Sequence, residues 1–223
     1  MKKELRNKYK KIRNSIHSEN LDNLIYNYII GLDEFIYASD VLIYYSINDE
    51  IDTLKLIKYS LEHKKRVFIP RCDNDMDFYL INNLNSLKKG KFNIMESTSD
   101  INNYCNSICI TPGICFDNSF YRIGYGKGYY DNFFKNYDGV KIGLCYDDCL
   151  IDNCYHDKYD IPVDIIVTDK KILKYDKRKS NWFPFCYNCI PFTTLLLLEC
   201  FVAIILSIKL CVSPSAIVSN AAI

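Results

Sequence analysis

The chain has 223 residues, 49% of them hydrophobic, with 28 basic against 27 acidic side chains and a formal net charge of +1. That length suits one domain of ordinary size with an adequate core, and so even a charge balance argues against a nucleic-acid partner, which needs a basic face. Eleven cysteines are many for a cytosolic protein, yet the start, Met1-Lys2-Lys3-Glu4-Leu5, lacks the apolar stretch of a secretory signal, so reduced thiols and a cytoplasmic location are expected. No pair of C-x-x-C motifs stands at zinc-site spacing, which argues against structural zinc.

In chain order, Leu5, Tyr9, Ile12 and Ile16 recur at steps of four, three and four and predict an amphipathic helix from Lys2 to about Ile16. Ser18 is placed to cap a second helix whose apolar face is Leu21, Leu24, Ile25, Tyr28 and Ile29. Val41 to Tyr45 is a short apolar run rich in β-branched and aromatic residues, as expected of a strand buried on both faces. Asp52 can cap a third helix carrying Leu54, Ile57 and Leu61, and Val67 to Ile69, Ile108 to Thr111, Ile142 to Leu144 and Ile165 to Val167 read as further strands. Such an alternation predicts a three-layer α/β fold, a mostly parallel sheet flanked by helices. In folds of this kind ligands bind beyond the carboxyl ends of strands. Two polar segments follow predicted strands there, one around Asp49-Glu50 and one from Thr111 to Asp131.

The second segment holds the most informative residues. Pro112-Gly113-Ile114-Cys115-Phe116-Asp117 is followed by Arg122-Ile123-Gly124-Tyr125-Gly126-Lys127-Gly128-Tyr129-Tyr130-Asp131. Glycine at alternate positions lets a backbone bend around an anion and turn successive N–H groups toward it. Arg122 and Lys127 bring positive charge for phosphate oxygens, and Asp131 brings the hard oxygen that Mg²⁺ takes beside phosphates. The plainer reading is a tight turn, because the spacing matches neither the dinucleotide fingerprint nor the P-loop. Lys2 and Arg6 share a helix face at i, i+4, yet they sit in a basic run through Arg13 of the kind that usually decorates a surface. Glu50 reads either as a favourable charge at the start of a helix or as an acceptor for ring N–H donors. Tyr45, Phe116, Tyr129 and Tyr130 are candidate stacking surfaces for a flat ligand.

Taken together, the Pro-Gly turn, Phe116-Asp117, Arg122, the three glycines and Tyr129-Tyr130-Asp131 resemble the signature of the 5-formyltetrahydrofolate cyclo-ligase family. Tyr44-Tyr45-Ser46-Ile47-Asn48-Asp49-Glu50-Ile51-Asp52-Thr53, Val67-Phe68-Ile69-Pro70-Arg71 and Asp160-Ile161-Pro162-Val163-Asp164 extend the resemblance over residues 1 to about 173. It implies a Rossmann-like fold of the CoA-transferase kind and an ATP-dependent ring closure of 5-formyltetrahydrofolate to the 5,10-methenyl form. It also implies site roles. Lys2, Arg6, Arg122, Gly124, Gly126, Lys127, Gly128, Tyr129 and Tyr130 fall on ATP, with Arg122 and Lys127 catalytic. Tyr45, Glu50 and Tyr129 fall on the folate, and Asp131 and Asp160 on Mg²⁺, with Asp157 in reserve for Asp160. A monomer is expected.

Residues 174–223 depart from the pattern. After Trp182-Phe183-Pro184-Phe185, Phe192 to Ile208 is apolar except for Thr193, Thr194, Glu199 and Ser207. Seventeen residues lie at the lower limit for crossing a bilayer, and Glu199 near the centre costs about 2.5 kcal/mol or more to insert. A tail anchor, an extra packed helix and a segment without selected structure are the three readings. The last is preferred, since Cys186-Tyr187-Asn188-Cys189 and Pro191 interrupt any helical pattern.

Overall fold

Helix α1, Lys2–Ile16, forms where the apolar spacing predicts it, and Leu5, Tyr9, Ile12 and Ile16 pack on the core. In the computed structural model, residues 1–72, 75–90 and 94–175 are described; the expectations for residues 176–223 lie outside them. Ser18 Oγ accepts from the Leu21 N–H at 3.4 Å and opens α2, Glu19–Ile30. A short α3, Asp33–Tyr37, which the sequence did not suggest, leads into β1, Asp40–Ile43. Strand β1 stops two residues earlier than predicted, which frees Tyr44 and Tyr45 from the ladder.

The helix expected third is thus α4, Leu54–Glu62; it begins at Leu54, whose N–H donates to Asp52 Oδ1 at 2.9 Å. After it come β2, Arg66–Cys72; β3, Met76–Ile81; β4, Leu87–Lys89; β5, Met95–Ser97; and β6, Ser107–Pro112. The polar segment after β6 contains β7, Cys115–Asp117; β8, Arg122–Ile123; and α5, Tyr129–Phe134. Then β9, Val140–Leu144, β10, Leu150–Ile151, β11, Ile165–Val167, and β12, Ile172–Lys174, complete the described chain.

Seven of these strands form one sheet in the order β12-β11-β9-β6-β1-β2-β3. The five central strands are parallel, and only the edge strands β3 and β12 run against their neighbours. Val41, Leu42, Ile43, Val67, Phe68, Ile69, Ile110, Ile142 and Ile166 are fully or almost fully buried, so the apolar runs are the core of a sheet covered on both faces. Among the parallel strands the chain runs outward in both directions from the β1/β6 pair. The crevice at such a reversal, beyond the carboxyl ends of the strands, is where ligands bind in doubly wound sheets.

Phe116 corrects one expectation. It lies in β7, fully buried, with its ring against Gly113 and Gly143, where any added Cβ would stand 2.2 and 2.3 Å from ring carbons. It is core, and no stacking surface.

Candidate active site

The reversal point places the two polar segments side by side. Residues 44–53 leave β1, and the chain from Pro112 through Asp131 leaves β6, its parallel neighbour. Thr53, buried at the far end of the first loop, donates its hydroxyl to the Tyr44 carbonyl at 2.7 Å and accepts from the Ser46 N–H at 3.2 Å. This folds residues 46–53 back over the strand end. Asn48 takes a left-handed turn (φ 51°), and the Ile47 N–H donates to Glu50 Oε2 at 3.1 Å. Glu50 therefore sits inside a loop, four residues before α4, and is no helix-terminal charge.

Between the two segments lies a cavity of about 560 Å³, within the range of small-molecule sites. Lys2 and Arg6 line it from α1, Tyr45 and Glu50 from the first loop, and Arg122, Gly124, Gly126, Lys127, Gly128, Tyr129, Tyr130 and Asp131 from the second. Asp160 closes one side, and Pro70, Cys72, Met76 and Ile94 add an apolar wall. Asp157 is not in the lining. One cleft thus collects the residues that the resemblance assigned to ligands, apart from the reserve Asp157, while Phe116 lies in the core.

Gly126 (φ 93°) and Gly128 (φ 70°) are left-handed, a conformation costly for residues with a Cβ. A Cβ on Gly126 would stand 3.1 Å from Arg6 Nη2. Arg6 Nε in turn donates to the Gly124 carbonyl at 2.7 Å, so α1 braces the glycine loop. Lys127 is exposed at the turn and enters no ion pair among the described residues.

Of the cations expected on ATP, Arg122 and Lys2 are already engaged. Arg122, its side chain 5% exposed, donates through Nη2 to Asp131 Oδ1 at 2.8 Å and through Nη1 to the Ile161 carbonyl at 2.9 Å. Lys2 Nζ donates to Asp160 and, at 3.0 Å, to Asp157. Burial weakens the Lys2 ammonium, but the two carboxylates outweigh it and raise its pKa. Both aspartates assigned to metal are therefore paired with a cation. Among the described residues no group of three or more His, Cys, Asp or Glu is clustered for a metal.

Burial pushes the Glu50 carboxyl above its ordinary value, against the opposing pull of the Ile47 N–H, the Tyr125 hydroxyl and Arg13. Tyr130 carries a buried hydroxyl with no hydrogen-bond partner among the described residues, at the wall of the cavity. The buried thiols offer no nucleophile: burial pushes Cys109 and Cys149 up to about 12, far from thiolate formation at neutral pH. All seven described cysteines are free. His156 stacks flat on Tyr121 at 3.7 Å.

Sequence reasoning missed Arg13 and Tyr125. Arg13, counted within a surface basic run, is 2% exposed and joins both site segments from below. Its signal was its phase: it follows Tyr9 by four residues, on the apolar stripe.

Fold and cleft define a doubly wound α/β protein with a cleft at the sheet's reversal point that combines a glycine-rich loop, opposed cations and carboxylates, and an apolar wall. The family profile described as "5-formyltetrahydrofolate cyclo-ligase family" matches residues 1–169, and the chain belongs to that family. A Schizosaccharomyces pombe protein named probable 5-formyltetrahydrofolate cyclo-ligase is 27% identical over 168 residues, covering 66% of this chain and 82% of the relative. A Haemophilus influenzae 5-formyltetrahydrofolate cyclo-ligase is 25% identical, over 74% of this chain and 97% of the relative. Among solved structures, the Aquifex aeolicus 5,10-methenyltetrahydrofolate synthetase superposes with a TM-score of 0.71 at 29% identity, covering 83% of this chain and 98% of that one. No helix among the described residues is long and apolar enough to cross a membrane.

Proposed function

We propose that this chain converts 5-formyltetrahydrofolate and ATP to 5,10-methenyltetrahydrofolate, ADP and phosphate. The observation that carries the reading is the convergence, in one cleft between the ends of β1 and β6, of the glycine loop with Glu50 and its aromatic neighbours. The terminal phosphoryl group passes to the formyl oxygen, N10 attacks the activated carbon, and the former formyl oxygen leaves within phosphate. No enzyme nucleophile is required, in keeping with the high-lying thiols.

The work of the protein is then placement and charge. The loop from Gly124 to Gly128 receives phosphate oxygens, with Lys127 as a cation that enters no ion pair among the described residues and Arg6 bracing the loop from α1. Arg122 acts first by fixing Asp131, and Lys2 by fixing Asp160. The carboxylates Asp131 and Asp160 suit Mg²⁺, which commonly takes one or two carboxylates together with substrate phosphates. Bound there, the ion would neutralise phosphate charge. Asp160 is preferred over Asp157 because it lines the cleft.

On the opposite wall, Glu50 accepts from the ring N–H donors of the folate, while Tyr45 and Tyr129 flank the ring. The protein acts in the cytoplasm as a monomer, and residues 174–223 are not needed for chemistry. Formyl-¹⁸O substrate tests the bond that breaks: label recovered in inorganic phosphate supports the route, and label retained in water or folate refutes it.

A further inference from the structure

We propose that Arg13 is a positioning residue for the Glu50 carboxylate, locking the loop that carries it to the glycine loop without meeting either ligand. The inference rests on the reading that Glu50 takes the folate. Arg13 projects from α1 beneath the cleft, is 2% exposed and has no place in the cavity lining. Its guanidinium reaches three separate segments: Nε donates to Asp49 Oδ2 at 2.9 Å, Nη1 to the Gly113 carbonyl at 3.3 Å, and Nη2 to the Tyr125 hydroxyl at 2.9 Å. Asp49 precedes Glu50, and Tyr125 lines the cleft together with Glu50. The contacts thus join at one guanidinium the residue before Glu50, the turn after β6 and the glycine loop.

The other anchors of the loop lie elsewhere. Ser46 and Thr53 bond each other, and the Asp52 N–H donates to the buried Asp22 at 3.2 Å. These hold the ends. At the turn bearing Glu50, where Asn48 is left-handed, the Arg13–Asp49 pair holds the residue before Glu50, while the Tyr44 hydroxyl donates to the carbonyl of Ile51, the residue after it, at 3.1 Å. A planar guanidinium holds three acceptors in fixed directions at once, which an ammonium on a flexible stem does not. A buried pair of this kind is a weak source of stability compared with apolar packing of similar volume, so its value lies in where it puts Asp49 and Tyr125. The glycine loop has its own brace in Arg6. Loss of Arg13 should therefore fall mainly on the folate side.

The test uses the full chain with Arg13→Met, Arg13→Lys, Tyr125→Phe and the Arg13→Met/Tyr125→Phe pair, in steady-state assays with 5-formyltetrahydrofolate and ATP varied in turn. Expected for Arg13→Met is a folate KM raised about tenfold or more, the size of a lost hydrogen bond to a charged group, with ATP KM and kcat within about threefold. Arg13→Lys restores part of the loss. The double variant is less impaired than the product of its single effects, because the two side chains bond each other in one network. Tyr125→Phe removes a hydroxyl from a partly exposed ring and leaves the fold intact, so it carries the test if Arg13→Met fails to fold. A folate KM unchanged in Tyr125→Phe and in every folded Arg13 variant overturns the inference. So does an equal rise in both KM values, or a lower melting temperature with KM unmoved. If the wild-type chain turns over and these variants do not shift, the Arg13 inference alone falls. If the wild-type chain shows no turnover, the functional reading falls, and the inference with it.

Discussion

Asp131→Asn separates two jobs that the cleft gives to one carboxylate. Asp131 Oδ1 accepts from Arg122 Nη2 at 2.8 Å and from the Ile161 N–H at 3.2 Å, with the carboxylate 23% exposed and the guanidinium 5%. Asparagine keeps an oxygen in the same place, so both hydrogen bonds survive in form while the charge is lost. Breaking a fully buried pair costs about 3–5 kcal/mol. Retained hydrogen bonds and partial exposure lower that, and about 2 kcal/mol is expected, a fall in Tm of roughly 4–8 °C for a domain of this size. Calorimetry reads that part. The second part is catalytic: the variant, still folded at 20 °C, should show turnover below about 1% of wild type and a raised Mg²⁺ requirement, because the carboxylate beside the phosphate loop is gone. Wild-type turnover at the wild-type Mg²⁺ midpoint would refute the metal role. An unchanged Tm would refute the account of Arg122.

Three further outcomes follow from the cleft. Glu50→Gln should raise the folate KM far more than the ATP KM, and a larger rise for ATP would put Glu50 on the wrong side of the site. The same variant should melt no lower than wild type at pH 7: burial raises the folded-state pKa of Glu50 above its ordinary 4.5, so its stabilising contribution is present at low pH and lost as pH rises through the folded value, leaving an ionised side chain that disfavours folding. The stability difference should shrink below about pH 4.5, where the carboxyl is protonated in both states. Gly124→Ala should fold normally, having no neighbour within 4 Å of its new Cβ and no left-handed backbone, yet raise the ATP KM, whereas Gly126→Ala should also lose about 1–3 kcal/mol through backbone strain against Arg6. A chain ended near residue 179 should keep full activity and stay out of the membrane pellet, since β12 closes at Lys174 and the described lining of the cavity comes from earlier residues; a tenfold loss, or pelleting of the full chain that truncation abolishes, would assign the tail a role.

The parallel core was legible because strands buried on both faces read as unbroken apolar runs: Val41 to Ile43, Val67 to Ile69, Ile108 to Ile110, Ile142 to Leu144 and Ile165 to Val167 all lie in the central sheet. Strands β7, β8 and β10 were not, being two or three residues long and set among turn residues. Strand β3 was missed for another reason. Met76–Ile81 sits at an edge with mixed burial, and its sequence alternates only weakly. The glycine loop was visible because left-handed turns leave a compositional trace, whereas its bracing from α1 was not, since a lysine or arginine in a basic run looks alike whether solvated or buried. Arg13 shows what was available: a charge on the apolar stripe needs a partner, and the sequence alone does not name which loop supplies it. Phe116 failed in the opposite sense, because an aromatic beside a site motif can as readily belong to the core beneath it.

The central claim is that one cleft joins ATP cleavage to closure of the folate ring. Mixing the purified chain with 5-formyltetrahydrofolate, ATP and Mg²⁺, while following the near-ultraviolet absorbance of the methenyl product and the release of ADP, tests it directly. The account predicts that both appear together, in equal amounts, only when all three components are present. ADP released without methenyl product, or no absorbance change at saturating substrates, would contradict it.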